Sequence, residues 1–320
     1  MIRFLAVFLG SLLASAAFAQ DERAGEAIDH LFNGEYEEAL NAAAPLAEAG
    51  NADAQHLIAY LYENGFGVEK DLQRAVDLYI TAARAGHPDA QFSLAELALS
   101  GDGVERNAET AAGWYRLAAR QGHARAKLRL GVMYAEGDGV PPNRARSVEL
   151  FREAANAGDP EAQRNIAIAH LSGLGVRQDY RLAADWFEKS AGAGDAVSAY
   201  NLGLLFQSGA LGAPDRETAA AHFRAGASGG FAPAMVALGL LIHDGAEADE
   251  HPADWFARAA MAGDPQGRFL YAIALSEGDG REKDVASARL LIDDILADPA
   301  ADEGLKRDAE KLRRRLGRQD

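Results

Sequence analysis

Residues 122–158 read GHARAKLRLGVMYAEGDGVPPNRARSVELFREAANAG, and this stretch decides the fold. Ala126, Leu130-Gly131 and Tyr134 fall three and four residues apart, on one helical face. A Gly-rich turn follows, Gly137-Asp138-Gly139-Val140, and then a second apolar-periodic run of Ala145, Val148, Phe151 and Ala154-Ala155. The spacing is helical throughout, without strand-like alternation, so the unit is a helix hairpin. The unit also repeats. Ala-Gly pairs, with Gln-Gly as the third, end at Gly50, Gly86, Gly122, Gly158 and Gly194, with a constant step of 36 residues. Gly65, Gly101, Gly137, Gly173, Gly209 and Gly245 keep the same step. Two series in register imply copies of one supersecondary unit, each stacked only on its neighbours.

Working outward, the other phases of the period acquire physical roles. Asp71, Asn107, Asn143, Asp179 and Asp215 each precede a second helix, where an Asx side chain can accept a bond from an unsatisfied first-turn N–H. Pro88, Pro160, Pro233 and Pro265 open first helices, where a missing N–H costs nothing. The Ala-Gly pairs end second helices, because glycine accepts the left-handed cap conformation. Gly131, Gly203 and Gly239 sit inside first helices. Mid-helix glycine is unfavourable, so close helix–helix approach is its expected use. Leu78-Tyr79, Trp114-Tyr115, Leu150-Phe151, Trp186-Phe187, His222-Phe223 and Trp255-Phe256 are expected core knobs, the last arriving three residues early through a shortened loop after Gly245.

The combined pattern A-x-x-x-L-G-x-x-Y-x-x-G-x-G-V followed by a capped A-x-x-W-Y-x-x-A-A resembles the Sel-1-like repeat, a relative of the tetratricopeptide repeat (TPR). The resemblance covers residues 50–297 as about seven repeats of 33–36 residues, the last one partly a cap. It implies an all-α fold, a right-handed superhelical solenoid of antiparallel helix hairpins. Residues 20–49 are expected to form a degenerate N-terminal capping hairpin, and 298–320 a basic C-terminal capping helix with Leu305, Ala309, Leu312 and Leu316 on one stripe. The departures are local. Repeat five carries Gly209-Ala210-Leu211-Gly212 in place of G-x-G-V, and Ala98, His170 and Ile242 replace the first-helix Tyr.

The first 19 residues read as a cleaved export signal: Arg3, an apolar Phe4–Leu13 core, and Ala17-Phe18-Ala19 before a mature start at Gln20. The expected location is periplasmic or secreted, with no membrane insertion. The chain contains no cysteine, so neither disulfides nor thiol chemistry enter. Its formal net charge is −16, and −17 once Arg3 leaves with the signal (−16 − 1). So acidic a protein is a poor binder of nucleic acid.

In TPR-type solenoids the first helices line the concave face and contact partners, and the resemblance implies the same here. One phase, read as solvent-facing, runs His56, Phe92, Leu128, Arg164, Tyr200, Val236, Phe269. A second runs Tyr60, Glu96, Val132, Ile168, Leu204, Leu240, Ile273. Both vary between repeats while the core phases do not, which marks them as positions open to specialisation. Apolar groups in a groove suit a bound peptide or helix. Residues 116–152 also hold eight basic and three acidic side chains, a local balance of +5. Arg125 and Arg129 share one helical face there, and Arg164 joins from the next repeat. Arginine forks onto carboxylates, so an envelope protein with an acidic segment is the expected partner of a monomeric scaffold. The candidate partner-binding residues are His56, Tyr60, Phe92, Glu96, Arg125, Leu128, Arg129, Arg164 and Tyr200.

No enzymatic activity, cofactor or metal is expected. Neither S-x-x-K nor H-E-x-x-H occurs. Exported Sel-1-like proteins linked to β-lactam binding are typically cysteine-rich, unlike this chain. His87 and His123 both follow a capping Gly and read as helix caps. The acidic stretch around His243–His251 reads as a solvated loop. A cell-wall role, binding or hydrolysing peptidoglycan, is the alternative to a protein-binding one.

Overall fold

The computed structural model describes residues 22–317, so the export signal read at 1–19 lies outside the described residues. Among the described residues there are seventeen α-helices and no strand. They fall into two compact units that divide between Asp159 and Pro160.

In the first unit, α1 (Glu22–Asn33) pairs with α2 (Tyr36–Glu48), α3 (Ala52–Asn64) with α4 (Leu72–Arg84), α5 (Pro88–Ser100) with α6 (Ala108–Arg120), and α7 (Ala124–Glu136) with α8 (Arg144–Asn156). In the second, α9 (Pro160–Ser172) pairs with α10 (Tyr180–Gly192), α11 (Ala196–Ser208) with α12 (Arg216–Ser228), α13 (Ala232–His243) with α14 (Pro252–Met261), and α15 (Pro265–Glu277) with α16 (Val285–Ala297). A final helix, α17 (Glu303–Leu316), packs on α15 and α16 through Ala309, Leu312 and Leu316. Within each unit, successive helices pack in sequence order, as an array of hairpins requires.

The local causes are those the period suggests. Asp71, Asn107, Asn143, Asp179 and Asp215 each accept a bond from the backbone N–H three residues on, at 2.9–3.0 Å. First helices end at glycines in the left-handed region, for example Gly137 at φ +81°, a conformation L side chains rarely adopt. Tyr79, Tyr115, Phe187 and Phe223 are fully buried. The mid-helix glycines do admit close approach: a Cβ on Gly203 would lie 2.6 Å from the Phe223 ring, and one on Gly239 2.5 Å from Phe256.

The loops seal the hairpins in the first unit. Each inserts its second glycine against the start of the preceding second helix. A Cβ on Gly139 would lie 2.4 Å from the Ala108 carbonyl carbon, and one on Gly67 2.6 Å from the Glu37 nitrogen. In the fifth repeat that position is Leu211, and no side chain fits such a seat.

Candidate functional site

The first-helix face divides into a joint and a partly covered surface. The phase read as solvent-facing is in fact the joint. His56, Leu128 and Val236 are only 1 %, 3 % and 4 % exposed. Phe92, Arg164 and Tyr200 are half-buried. The physical reason is that His56, Phe92, Arg164 and Tyr200 each meet the N-cap residue of the next first helix, 31 positions later.

His56 stacks on His87, ring centroids 4.7 Å apart, and Phe92 stacks on His123 at 4.8 Å. The two partner histidines are caps, as their sequence position suggests. His87 Nδ1 accepts the Ala90 N–H at 3.1 Å while its Nε2 lies 3.1 Å from Asp53 Oδ1. His123 repeats this with Ala126 at 3.0 Å and Asp89 at 3.1 Å. A ring that accepts at Nδ1 and donates at Nε2 is a neutral imidazole with a fixed tautomer. Burial pushes the His56 imidazole down to about 3, so it is neutral at physiological pH.

In the second unit the joint changes chemistry. Arg164 donates to Asp195, which also caps α11 by accepting the Ser198 N–H at 2.7 Å. Glu161 lies 3.8 Å from the same guanidinium. Tyr200 meets Phe231 edge-on at 5.3 Å. Four of the nine candidate residues, His56, Phe92, Arg164 and Tyr200, are thus engaged by the neighbouring hairpin, and Leu128 is buried in the same row. This corrects their placement on a free face.

The second phase is partly covered, with one exposed member. Tyr60 and Val132 are half-buried in the first unit, as are Leu204, Leu240 and Ile273 in the second, and Ile168 is exposed. Glu96 is the exception by chemistry. It accepts from the buried Tyr115 hydroxyl and from Arg129 Nε at 3.2 Å. Burial and then the Glu96 charge raise the Tyr115 hydroxyl well above its ordinary value, which keeps it a donor. Arg129 is therefore half-neutralised from within the protein.

Arg125 is different. It is exposed, and it makes no ion pair among the described residues. Three of the eight basic residues between 116 and 152 are paired: Lys127 with Glu153 at 2.9 Å, Arg129 with Glu96, and Arg146 with Glu149 at 2.8 Å. Arg116, Arg120, Arg125, Arg144 and Arg152 carry no such pair among the described residues, so the excess positive charge is available to a partner.

One motif escaped the sequence reading. Gly226-Ala227-Ser228-Gly229-Gly230 fits G-x-S-x-G. That pattern signals a nucleophile only on a strand-to-helix elbow. Here Ser228 is the last residue of α12, and the glycines form the helix end, so its setting is that of a helix cap.

These features define a helical-repeat protein whose successive hairpins are joined through their first helices within each unit. The Sel1 repeat model matches residues 52–87, 88–123, 124–159, 160–195, 196–231 and 232–264. The chain belongs to the Sel1 repeat family, whose repeats act as protein-interaction scaffolds. Among solved structures it is similar to a Sel1 repeat protein from Oxalobacter formigenes, with 30 % identity and a TM-score of 0.68 over 73 % of this chain and 98 % of that one. It is also similar to a protective antigen of uropathogenic Escherichia coli strains that displays an SLR fold, with 27 % identity and a TM-score of 0.62 over 87 % of this chain and 69 % of that one. No curated protein matches the sequence. No helix among the described residues is long and apolar enough to cross a membrane.

Proposed function

We propose that this chain is an exported adaptor that holds an acidic, extended segment of an envelope protein against the first helices of its first unit. The observation that carries the reading is Arg125, an exposed guanidinium with no ion pair among the described residues, in a chain of net charge −16. An unpaired cation in an acidic protein is poised for a carboxylate from outside, and a forked Arg–carboxylate contact adds orientation to charge. Val132, two helical turns further along the same helix, offers apolar contact on that face. Export is supported by the 1–19 sequence pattern, and similarity to a protective antigen suits a protein outside the cytoplasm.

The test compares wild type with Arg125→Glu in crosslinking and pull-down from the exported fraction. Arg125 is the cleaner choice than Arg129, whose replacement would also release Glu96 and the buried Tyr115. Partner recovery should fall about tenfold, and wild-type recovery should weaken with salt. Equal recovery by both forms contradicts the proposal. Fractionation with N-terminal sequencing checks export: the mature protein should begin at Gln20.

A further inference from the structure

In the first unit, the second glycine of each loop closes over the start of the preceding second helix. In the fifth repeat Leu211 occupies that place and packs sideways into the cluster around Phe187 and Leu202. The loop then runs differently, with Gly212 at φ +152°. The start of α10 is left uncovered. Tyr180 and Leu182 stand exposed there, although large apolar side chains belong under cover. At the Leu182 phase the earlier repeats carry Arg74, Thr110 and Arg146, so the apolar residue is a departure of this repeat alone.

The uncovered region is a cavity of about 690 Å³, entirely within the second unit. Two features point to an occupant. The first is His170, which lines the cavity at the phase held elsewhere by Tyr62, Tyr134 and Phe206. It is 6 % exposed, and neither ring nitrogen has a hydrogen-bond partner among the described residues. Such a buried polar group is costly to leave unsatisfied, and its two ring nitrogens can hydrogen-bond a peptide group. The second feature is charge. Arg177 and Arg181 line the same cavity, are exposed, and make no ion pair among the described residues. The one carboxylate that lines the cavity, Asp179, accepts the Leu182 N–H as the cap of α10.

We infer that this cavity is a second peptide-binding site, distinct from the Arg125 face, that takes an apolar side chain of a protein segment flanked by carboxylates. The apolar side chain fills the space left by the displaced loop, between Tyr180, Leu182 and Ala210. The flanking carboxylates pair with Arg177 and Arg181. His170 bonds the peptide backbone between them.

The test uses the full mature chain and three fluorescent hexapeptides with a central Leu-Phe pair, flanked by Asp, by Lys or by Ser. Anisotropy titration should show the Asp peptide binding at least about tenfold more tightly than the other two. Arg177→Glu/Arg181→Glu should reduce that preference. Leu211→Gly, which restores the sealing residue of the other repeats, should weaken binding about tenfold while circular dichroism stays unchanged. The His170 ring proton resonances should shift on adding the Asp peptide. In an Arg125→Glu background, which removes the contribution of the first-unit face, the preference for the Asp peptide should persist and Arg177→Glu/Arg181→Glu should then remove it, which separates this site from that face. The inference is overturned if the Asp peptide fails to bind, if it binds no better than the Lys peptide, or if Arg125→Glu alone abolishes binding. It is also overturned if the folded Leu211→Gly chain binds as wild type.

Discussion

The joints of the first unit and those of the second solve one problem with different chemistry. Between α3 and α5, and between α5 and α7, a neutral histidine caps a helix, bonds an aspartate and stacks on a ring. Between α9 and α11 the same position is a full ion pair, Arg164 with Asp195, and between α11 and α13 it is an aromatic edge contact. The loops differ as well, since the first unit seals its second helices with glycine and the fifth repeat does not. A position can therefore vary from repeat to repeat and still be structural, provided its partner varies with it. Variation without a matching partner is the better guide to function, as at Arg125 and at the Leu211 loop.

The sharpest way to break the contrast is to give a sealed loop the residue of the open one. Gly139→Leu places a side chain at φ +66°, with its Cβ 2.4 Å from the Ala108 backbone. Strain and overpacking together should cost about 3 kcal/mol, read as a lower urea midpoint. Leu211→Gly brings no overpacking and loses only the partly buried contact of Leu211 with the Phe187 cluster, so its cost should be smaller.

Next in size is the response to acid. The His56 imidazole is held down to about 3 in the folded protein against an ordinary 6.5. Between those values the unfolded chain takes up a proton that the folded one refuses, so stability falls as pH drops through that window. The groups facing it are His87, Asp89, Asp53 and His123, with the Tyr79 ring beside it. From pH 7 to pH 5 its contribution to the loss should be about 2 kcal/mol, and His56→Phe, which copies Phe92 of the next repeat, should remove that part of the slope. A slope unchanged by the substitution would place the acid sensitivity elsewhere. The smallest effect is that of a single cap: Asn107→Ala should lower stability by about 1 kcal/mol in either acid or neutral buffer.

Much of the fold was legible because the phases with invariant chemistry have invariant causes. Left-handed glycines, Asx caps and the Phe or Tyr of each second helix appear where the 36-residue step puts them. The site was less legible. His56, Phe92, Arg164 and Tyr200 look like a free variable row when read one column at a time. Read in pairs, His56 with His87, Phe92 with His123, Arg164 with Asp195 and Tyr200 with Phe231, the same residues show a joint. The 31-residue offset that links them is set by tertiary stacking, so no local periodicity signals it. The cavity beside His170 was visible only as two motif departures, Leu211 and the missing Tyr. Their juxtaposition needs the fold.

The most direct measurement is a double-mutant cycle on the ion-pair joint, using Arg164→Leu, Asp195→Asn and the two together. Asparagine retains the cap to Ser198, so the cycle isolates the contact between hairpins. If this row is a joint, the coupling energy should be about 1–2 kcal/mol, with the double variant more stable than the two single losses would add up to. Strict additivity of the two single losses would contradict it and would return Arg164 to the surface that serves a partner.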